Sequence, residues 1–215
     1  MPCPVLVVSD ADEDATKVVA EFGKRIRYLI LPKQAGQGAA VNAGFEFIET
    51  EFFAVQHDDD IAHSYKYEAL LEAFVPHPEA GMASGLAGLI DQHGRVLGVQ
   101  SVAYVNRRRK AGLAGLDLRR ELAGFNPVCG AATLYRSSVF RVLGGYSEVL
   151  QHAEELDYRL RLLRAGYNNI FVDKVVAEYR IHPGNKSLED GRTKAQACEV
   201  AKELRERASR CSSLL

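Results

Sequence analysis

Phe52-Phe53-Ala54-Val55-Gln56 runs without a break into His57-Asp58-Asp59-Asp60. The apolar run has the length and the aromatic and β-branched content of a buried strand, and the acidic cluster reads as a loop at its carboxyl end. Upstream, Gly36-Gln37-Gly38 opens a small-residue helix over 39–48. Before it, Arg27 to Leu31 reads as a strand stopped by Pro32, and Ala15 to Phe22 as a helix closed by Gly23. Asp12 or Asp14 can cap that helix. Pro4-Val5-Leu6-Val7-Val8 is another strand, ending at Ser9-Asp10. Downstream, Tyr65 to Val75 reads as a helix ended by Pro76-His77-Pro78. Strand and helix thus alternate three times, which builds βαβ units and a parallel sheet covered by helices. Ligands of such sheets bind beyond the carboxyl ends of the strands. Two of these three strand ends carry acids.

The rest of the chain is less regular. Leu86–Ile90 and Val96–Val105 read as strands joined by the turn Asp91-Gln92-His93-Gly94. Arg107-Arg108-Arg109-Lys110 and the Gly-rich stretch after it read as a loop: a solvated one, or a lid over an anionic acceptor, lipid phosphate or membrane surface. Val128 to Tyr135 is apolar, and Ser137 is placed to cap a short helix ending at Gly144-Gly145. Glu154 to Ala165 has the spacing of an amphipathic helix closed by Gly166. Asn169–Val172 and Val175–Tyr179 are strand-like, and Thr193 to Ser209 reads as a charged helix. No repeat or linker divides the chain. The expected architecture is one α/β domain over 1–215, with a first half at 1–80, a second half at 81–190 and a C-terminal helix at 191–215.

Composition narrows the function. Lys+Arg is 27 against Asp+Glu 28, a formal net charge of -1. A polyanion binder needs a basic excess, so nucleic acid is not the expected partner. No apolar run approaches the roughly 18 residues that span a bilayer, so no transmembrane segment is expected. The four cysteines, Cys3, Cys129, Cys198 and Cys211, form no Cys-x-x-Cys pair. That argues against a zinc knuckle or disulfide scaffold and suits a reducing cytoplasm.

Three consecutive aspartates raise one another's pKa unless a cation sits among them. Mg²⁺ and Mn²⁺ take carboxylate oxygens and share the remaining positions with substrate phosphates. Asp58, Asp59 and Asp60 therefore suggest a metal that holds a diphosphate; a solvated acidic turn is the plain alternative. Asp10 ends another strand and faces the same crevice. Glu154, Glu155 and Asp157 open a helix, where acids also favour the macrodipole. Glu154 and Asp157 share one helix face and Glu155 points about 100° away.

These residues carry a resemblance. Val7-Val8-Ser9-Asp10-Ala11-Asp12-Glu13-Asp14 resembles the "vvDDgStD" segment of the family 2 inverting glycosyltransferases, which have the GT-A fold. Gly36-Gln37-Gly38-Ala39-Ala40-Val41-Asn42-Ala43-Gly44 resembles their "G-x-x-x-A-x-N-x-G" helix, and His57-Asp58-Asp59-Asp60 their "D-x-D-D". Gly130 to Arg136 with Gly144-Gly145-Tyr146 resembles the acceptor-side "G…rR…f…GGyde". Glu154-Glu155-Leu156-Asp157-Tyr158, with Arg161, Gly166 and Tyr167, resembles "E-D-x-D-L…R…G-y". Tyr179-Arg180-Ile181-His182, with Asn185 and Ser187, resembles "yR-x-H…n-x-S". The matches run in order from residue 7 to about 187.

The resemblance implies a GT-A-like three-layer α/β/α fold with a mainly parallel sheet, lacking the family's first strand and helix. It implies that the first half, 1–80, binds nucleotide and that the second half, 81–190, faces the acceptor. It implies inverting transfer of a sugar from a nucleotide-diphospho-sugar, a UDP-sugar for preference, to an acceptor hydroxyl. The acceptor is a saccharide, a lipid-linked saccharide or a protein. Asp59 falls in register with the metal-binding acid, joined by Asp58 or Asp60 around Mn²⁺ or Mg²⁺. Glu155 stands where the family has its catalytic Asp, with Glu154 and Asp157 beside it. Asp10, Lys33, Asn42, Asp58 and His182 are the candidate nucleotide or diphosphate contacts. His57 replaces the first acid of the metal motif, and Ser9 an acid near the base pocket. The rivals are a catalytically inactive nucleotide-sugar-binding or scaffold homologue and, more remotely, a nucleotidyltransferase. The expected location is cytoplasmic or peripheral at the inner membrane surface, with a homo-oligomer left open.

One consequence concerns the sheet. The missing first strand separates residues 4–8 from 52–56 in family order. Unpaired buried backbone groups cost about 1–3 kcal/mol each, so the two strands pair directly, a segment of the same chain fills in, or a partner chain donates a strand; direct pairing needs the least rearrangement and is the expectation.

Overall fold

The computed structural model describes residues 3–11, 15–99, 128–150 and 153–185. The Arg107–Lys110 run and the Thr193–Ser209 helix reading lie outside them, as do Asp12 and Asp14.

Along the chain come β1 (Val5–Ser9), α1 (Thr16–Ala20), β2 (Ile26–Ile30), α2 (Gln37–Phe45), β3 (Phe52–Phe53), β4 (Ile61–Ala62) and α3 (Lys66–Phe74). Then follow β5 (Met82–Asp91), β6 (Val96–Val99), a 3₁₀ turn (Gly130–Ala132), β7 (Thr133–Arg136), α4 (Ser137–Leu143), α5 (Glu154–Arg164) and β8 (Asn169–Ile181). The sequence reading places most of these elements within a few residues. Phe52–Gln56 shrinks to a two-residue strand, and the two strand-like stretches after 168 are one strand, β8. Ser137 opens α4 rather than capping it: the cap position is Arg136, with no side-chain cap bond. Gly144 closes the helix in the left-handed region at φ 82°, where a Cβ would be strained.

The strands form two sheets. β1 pairs with β2 in parallel, while the main sheet runs β3-β7-β5-β8-β4 with β6 also on β5. β5 and β8 are parallel, and the β3–β7, β5–β7, β5–β6 and β4–β8 pairings are antiparallel. The α/β layering holds, and the sheet is mixed rather than mainly parallel.

Side-chain alternation along the strands proves the layers. Phe53, Met82 and Tyr135 point into a cluster with Phe45 of α2, Phe140 of α4 and Leu156, Tyr158 and Leu160 of α5. Their neighbours Phe52, Ala83 and Leu134 point the other way, onto Leu70 and Phe74 of α3. The first face is strongly aromatic: Phe45, Phe53, Tyr135, Phe140, Tyr146 and Tyr158 meet ring to ring at 4.6–5.6 Å in successive pairs.

The expected direct pairing of 4–8 with 52–56 is not present. β1 and β3 belong to different sheets, and β3 pairs with β7. The expectation presumed a buried slot. No residue of β1 is buried, and unmatched backbone groups carry their full cost only where water is excluded. α2 joins the two sheets instead: a Cβ on Gly44 would lie 2.9 Å from the Val8 side chain, and the Phe45 ring stands 5.0 Å from that of Phe53.

Candidate active site

The acidic stretch 57–60 leaves β3 and turns into β4, where Ile61 and Ala62 pair with Glu178 and Ala177 of β8. That pairing carries the end of β8 alongside the aspartates. The buried carboxylate of Asp60 accepts a bond from the Arg180 backbone N–H at 2.9 Å through Oδ1. The Arg180 guanidinium donates to the Asp59 carbonyl at 2.8 Å. Two residues on, His182 Nε2 lies 2.9 Å from Asp59 Oδ2. Asn185 fixes this corner by donating to the Arg180 carbonyl and accepting from the His182 N–H.

His57 joins three elements. Its Nδ1 lies 3.3 Å from Asp60 Oδ2, its Nε2 2.9 Å from the Gln37 amide nitrogen at the start of α2, and the same Nε2 3.9 Å from Glu155 Oε1 on α5. Burial by itself pushes an imidazole's pKa down. Here the Asp60 hydrogen bond and the charges of Glu155, Asp60 and Asp59 win, and raise it to about 9.

Glu155 has two differently treated oxygens. Oε2 accepts from Arg159 at 2.9 Å. Oε1 is buried and has no hydrogen-bond partner among the described residues. A buried carboxylate oxygen without a hydrogen bond is costly, and this one has the His57 imidazole 3.9 Å away.

The other residues singled out from sequence fall into place variously. His57, Asp59 and Asp60 present ligand atoms within 4.8 Å of one another. Asp58 is exposed and is not part of that group, so the set is shifted by one imidazole from the three aspartates expected. Nitrogen and carboxylate donors together suit Mn²⁺ and similar borderline cations, so the residues fit a metal. Asp10 accepts the backbone N–H groups of Ala35 and Gly36, each at 2.8 Å, and so holds the turn that opens α2. Gly36 has φ 91° there, and a Cβ on Gly38 would lie 2.5 Å from the Ser147 carbonyl oxygen; both glycines serve backbone geometry and packing. Asn42 uses both amide hydrogens, on the Tyr146 carbonyl and the Glu148 carboxylate, so it tethers α2 to the turn after α4. Lys33 is exposed. Glu154 is buried. Asp157 is paired with Arg161 at 2.8 Å, and Arg161 also donates to the Leu143 and Gly145 carbonyls.

Two residues escaped the sequence reading. Lys66, at the start of α3, is fully buried and donates to Gln56 Oε1 at 3.1 Å, behind the acidic stretch. Burial pushes its pKa down to about 8, against the attraction of Cys129 and Asp60. Arg159 is also fully buried. Its position four residues after Glu155 was the available signal.

Comparison with known proteins bears on the family and the fold. The family description "Glycosyl transferase family 2" matches residues 2–144. The pre-mycofactocin glycosyltransferase of Mycobacterium tuberculosis is 31% identical over 147 residues, 66% of this chain and 29% of that protein. The amylovoran biosynthesis glycosyltransferase AmsE of Erwinia amylovora is 24% identical over 166 residues, 76% of this chain and 58% of that protein. The chain thus spans under two thirds of the length of either relative. The crystal structure of S. aureus TarS 1-349 in complex with UDP-GlcNAc superposes with a TM-score of 0.63 at 16% identity, over 91% of this chain and 54% of that one. No helix among the described residues is long and apolar enough to cross a membrane.

Proposed function

The chain belongs to glycosyl transferase family 2, and from that premise we propose that it transfers a sugar from a nucleotide-diphospho-sugar, a UDP-sugar for preference, to an acceptor hydroxyl with inversion. The observation that carries this reading is Glu155. One of its oxygens is held, the other is buried and unmatched, and the carboxylate stands at the edge of the His57–Asp60 cluster.

In this reading Glu155 Oε1 accepts the proton of the acceptor hydroxyl as its oxygen attacks the anomeric carbon. Buried surroundings keep water from that oxygen. Asp59, with His57, Asp60 or the exposed Asp58, holds a divalent cation, and His182 turns toward the same point from β8. When bound, the cation offsets the charge of the diphosphate leaving group. Asp10 and the turn it braces at Ala35–Gly36 border the nucleotide, with Lys33 able to swing toward phosphate from the exposed loop.

One observation favours the rival reading of a binding homologue without turnover. Both Asp60 oxygens already have protein partners, Arg180 N–H and His57, so a cation there must displace the imidazole contact. Incubation with a panel of UDP-sugars and Mn²⁺ separates the two. UDP release with at least one donor is expected from the enzyme; UDP binding without release from any donor is the outcome of the rival.

A further inference from the structure

We infer that Arg159 is a positioning residue for this reaction: its guanidinium holds Glu155 Oε2 and so fixes the place of Oε1, the oxygen proposed to take the acceptor's proton. The inference rests on the transferase reading above.

A fully buried guanidinium is costly to place, so the contacts it keeps fix it firmly. Arg159 donates to the Val128 carbonyl at 2.9 Å and to Glu155 Oε2 at 2.9 Å, and the Tyr135 side chain is near enough to act on its charge. Tyr135 in turn accepts from the Tyr146 hydroxyl at 3.0 Å. Val128 lies just before the 3₁₀ turn, Tyr135 on β7, and Tyr146 after α4. The guanidinium is therefore held from outside α5 by the Val128 carbonyl, with the Tyr135–Tyr146 pair beside it, and it transmits that fixity to a carboxylate one turn away on its own helix.

The opposite side of Glu155 is closed by backbone. A Cβ on Gly130 would collide with the Glu155 carboxylate. The carboxylate thus lies between the Gly130 backbone and the Arg159 guanidinium, with little room to rotate. A glutamate has one more rotatable bond than an aspartate and loses more freedom when fixed. Glu155 occupies a place where the resemblance has the shorter acid, so a clamp restores the definition that the added methylene removes. A base displaced by about 1 Å costs on the order of 10²-fold in rate.

A purely structural ion pair would have the same geometry, and kinetics tell the two apart. The full chain is assayed with its best UDP-sugar and Mn²⁺, with UDP affinity and thermal unfolding measured in parallel. Arg159→Met is expected to lower kcat by about 10–100-fold with donor KM within about twofold. Arg159→Lys, which keeps the charge without the fork, is expected to recover part of that loss. In a Glu155→Gln background, Arg159→Met is expected to add less than about threefold, because a clamp has no effect once its base is gone. Should Arg159→Met fail to fold, Gly130→Ala displaces the same carboxylate from the other side and is expected to lower kcat while leaving UDP binding intact. Equal losses from Arg159→Met in both backgrounds overturn the inference, as does an Arg159→Lys no better than Arg159→Met, or a Gly130→Ala of undiminished kcat. If Glu155→Gln itself retains full activity, the base assignment falls and takes the clamp with it. If Glu155→Gln is inactive and Arg159→Met is not impaired, the clamp alone falls.

Discussion

β1 and β5 are both strands of small and aliphatic residues, yet they end in opposite states. In β5 seven of ten residues are buried, with α3 on one side and the α2, α4 and α5 aromatics on the other. In β1 none is buried, and α1 and β2 bury none either. Val5, Val18, Phe22 and Ile30 remain 42–60% exposed. The difference lies in what each strand has beside it. β5 has strands on both edges, β7 and β6 on one and β8 on the other, while among the described residues β1 has β2 on one edge only. The groups proposed for chemistry all sit on the buried part: the 57–60 turn, the end of β8 and the start of α5. The part that would border the nucleotide is tied to it through α2 and through the two Asp10 bonds. The molecule thus joins a densely buried sheet to a two-stranded unit with no buried strand residue.

Hydrogen exchange offers the largest contrast. Local opening ranges from near zero to the global unfolding free energy, so amides of β1 and β2 are expected to exchange on the order of 10²-fold or more faster than those shared by β5 and β8. Equal protection in the two sheets would break the comparison. Truncation should show the same asymmetry. Leu70→Ala, at a fully buried site under the main sheet, is expected to cost about 2–5 kcal/mol. Val18→Ala on exposed α1 should stay within about 0.5 kcal/mol. Urea unfolding checks both; a Val18 cost near that of Leu70 would mean α1 is covered in solution.

Metal linkage is a smaller effect. UDP affinity is expected to be about tenfold or more higher with Mn²⁺ than in EDTA, and Asp59→Ala to erase that difference, since a diphosphate beside uncompensated acids is repelled. Calorimetry giving equal affinities would remove the metal from the site.

The smallest effect is the pH response of His57. Its pKa in the folded protein, about 9, lies above the ordinary 6.5. The stability it contributes is therefore complete below about 6.5 and is lost as pH rises through about 9. Relative to His57→Gln, the protein is expected to lose on the order of 1 kcal/mol between neutral and alkaline pH. Lys66 works in the opposite sense between about 8 and 10.5, and the comparison with the variant cancels it. A parallel pH dependence in both proteins would show that the imidazole has no such partners.

Which parts could be read from sequence follows from how local their signals are. α5 was legible because Leu156, Leu160 and Leu163 recur at helical spacing and Gly166 ends the run. Phe52 to Asp60 gave the strand end and its acids. β5 was read only from Leu86 onward, because Met82-Ala83-Ser84-Gly85 has the small side chains of a loop; its burial comes from β7 and β8, distant in sequence. The convergence of Asp59 with His182 was suggested by motif order alone and depends physically on the β4–β8 ladder. Direct pairing of β1 with β3 was wrong because sequence does not show that β1 has no buried residue. Lys66 and Arg159 went unremarked because a buried cation looks like any surface Lys or Arg until the Gln56 side chain, the Val128 carbonyl and Tyr135 are placed around it.

The central claim is that the unmatched oxygen of Glu155 accepts the acceptor's proton. Its most direct test is Glu155→Gln, with transfer from a UDP-sugar and UDP binding measured on the same preparation. The amide keeps the size and the neighbours of the carboxylate and removes the base. Transfer is expected to fall by about 10²–10⁴-fold, with UDP affinity retained. Undiminished transfer, or a loss found only in Asp157→Asn, would contradict the assignment.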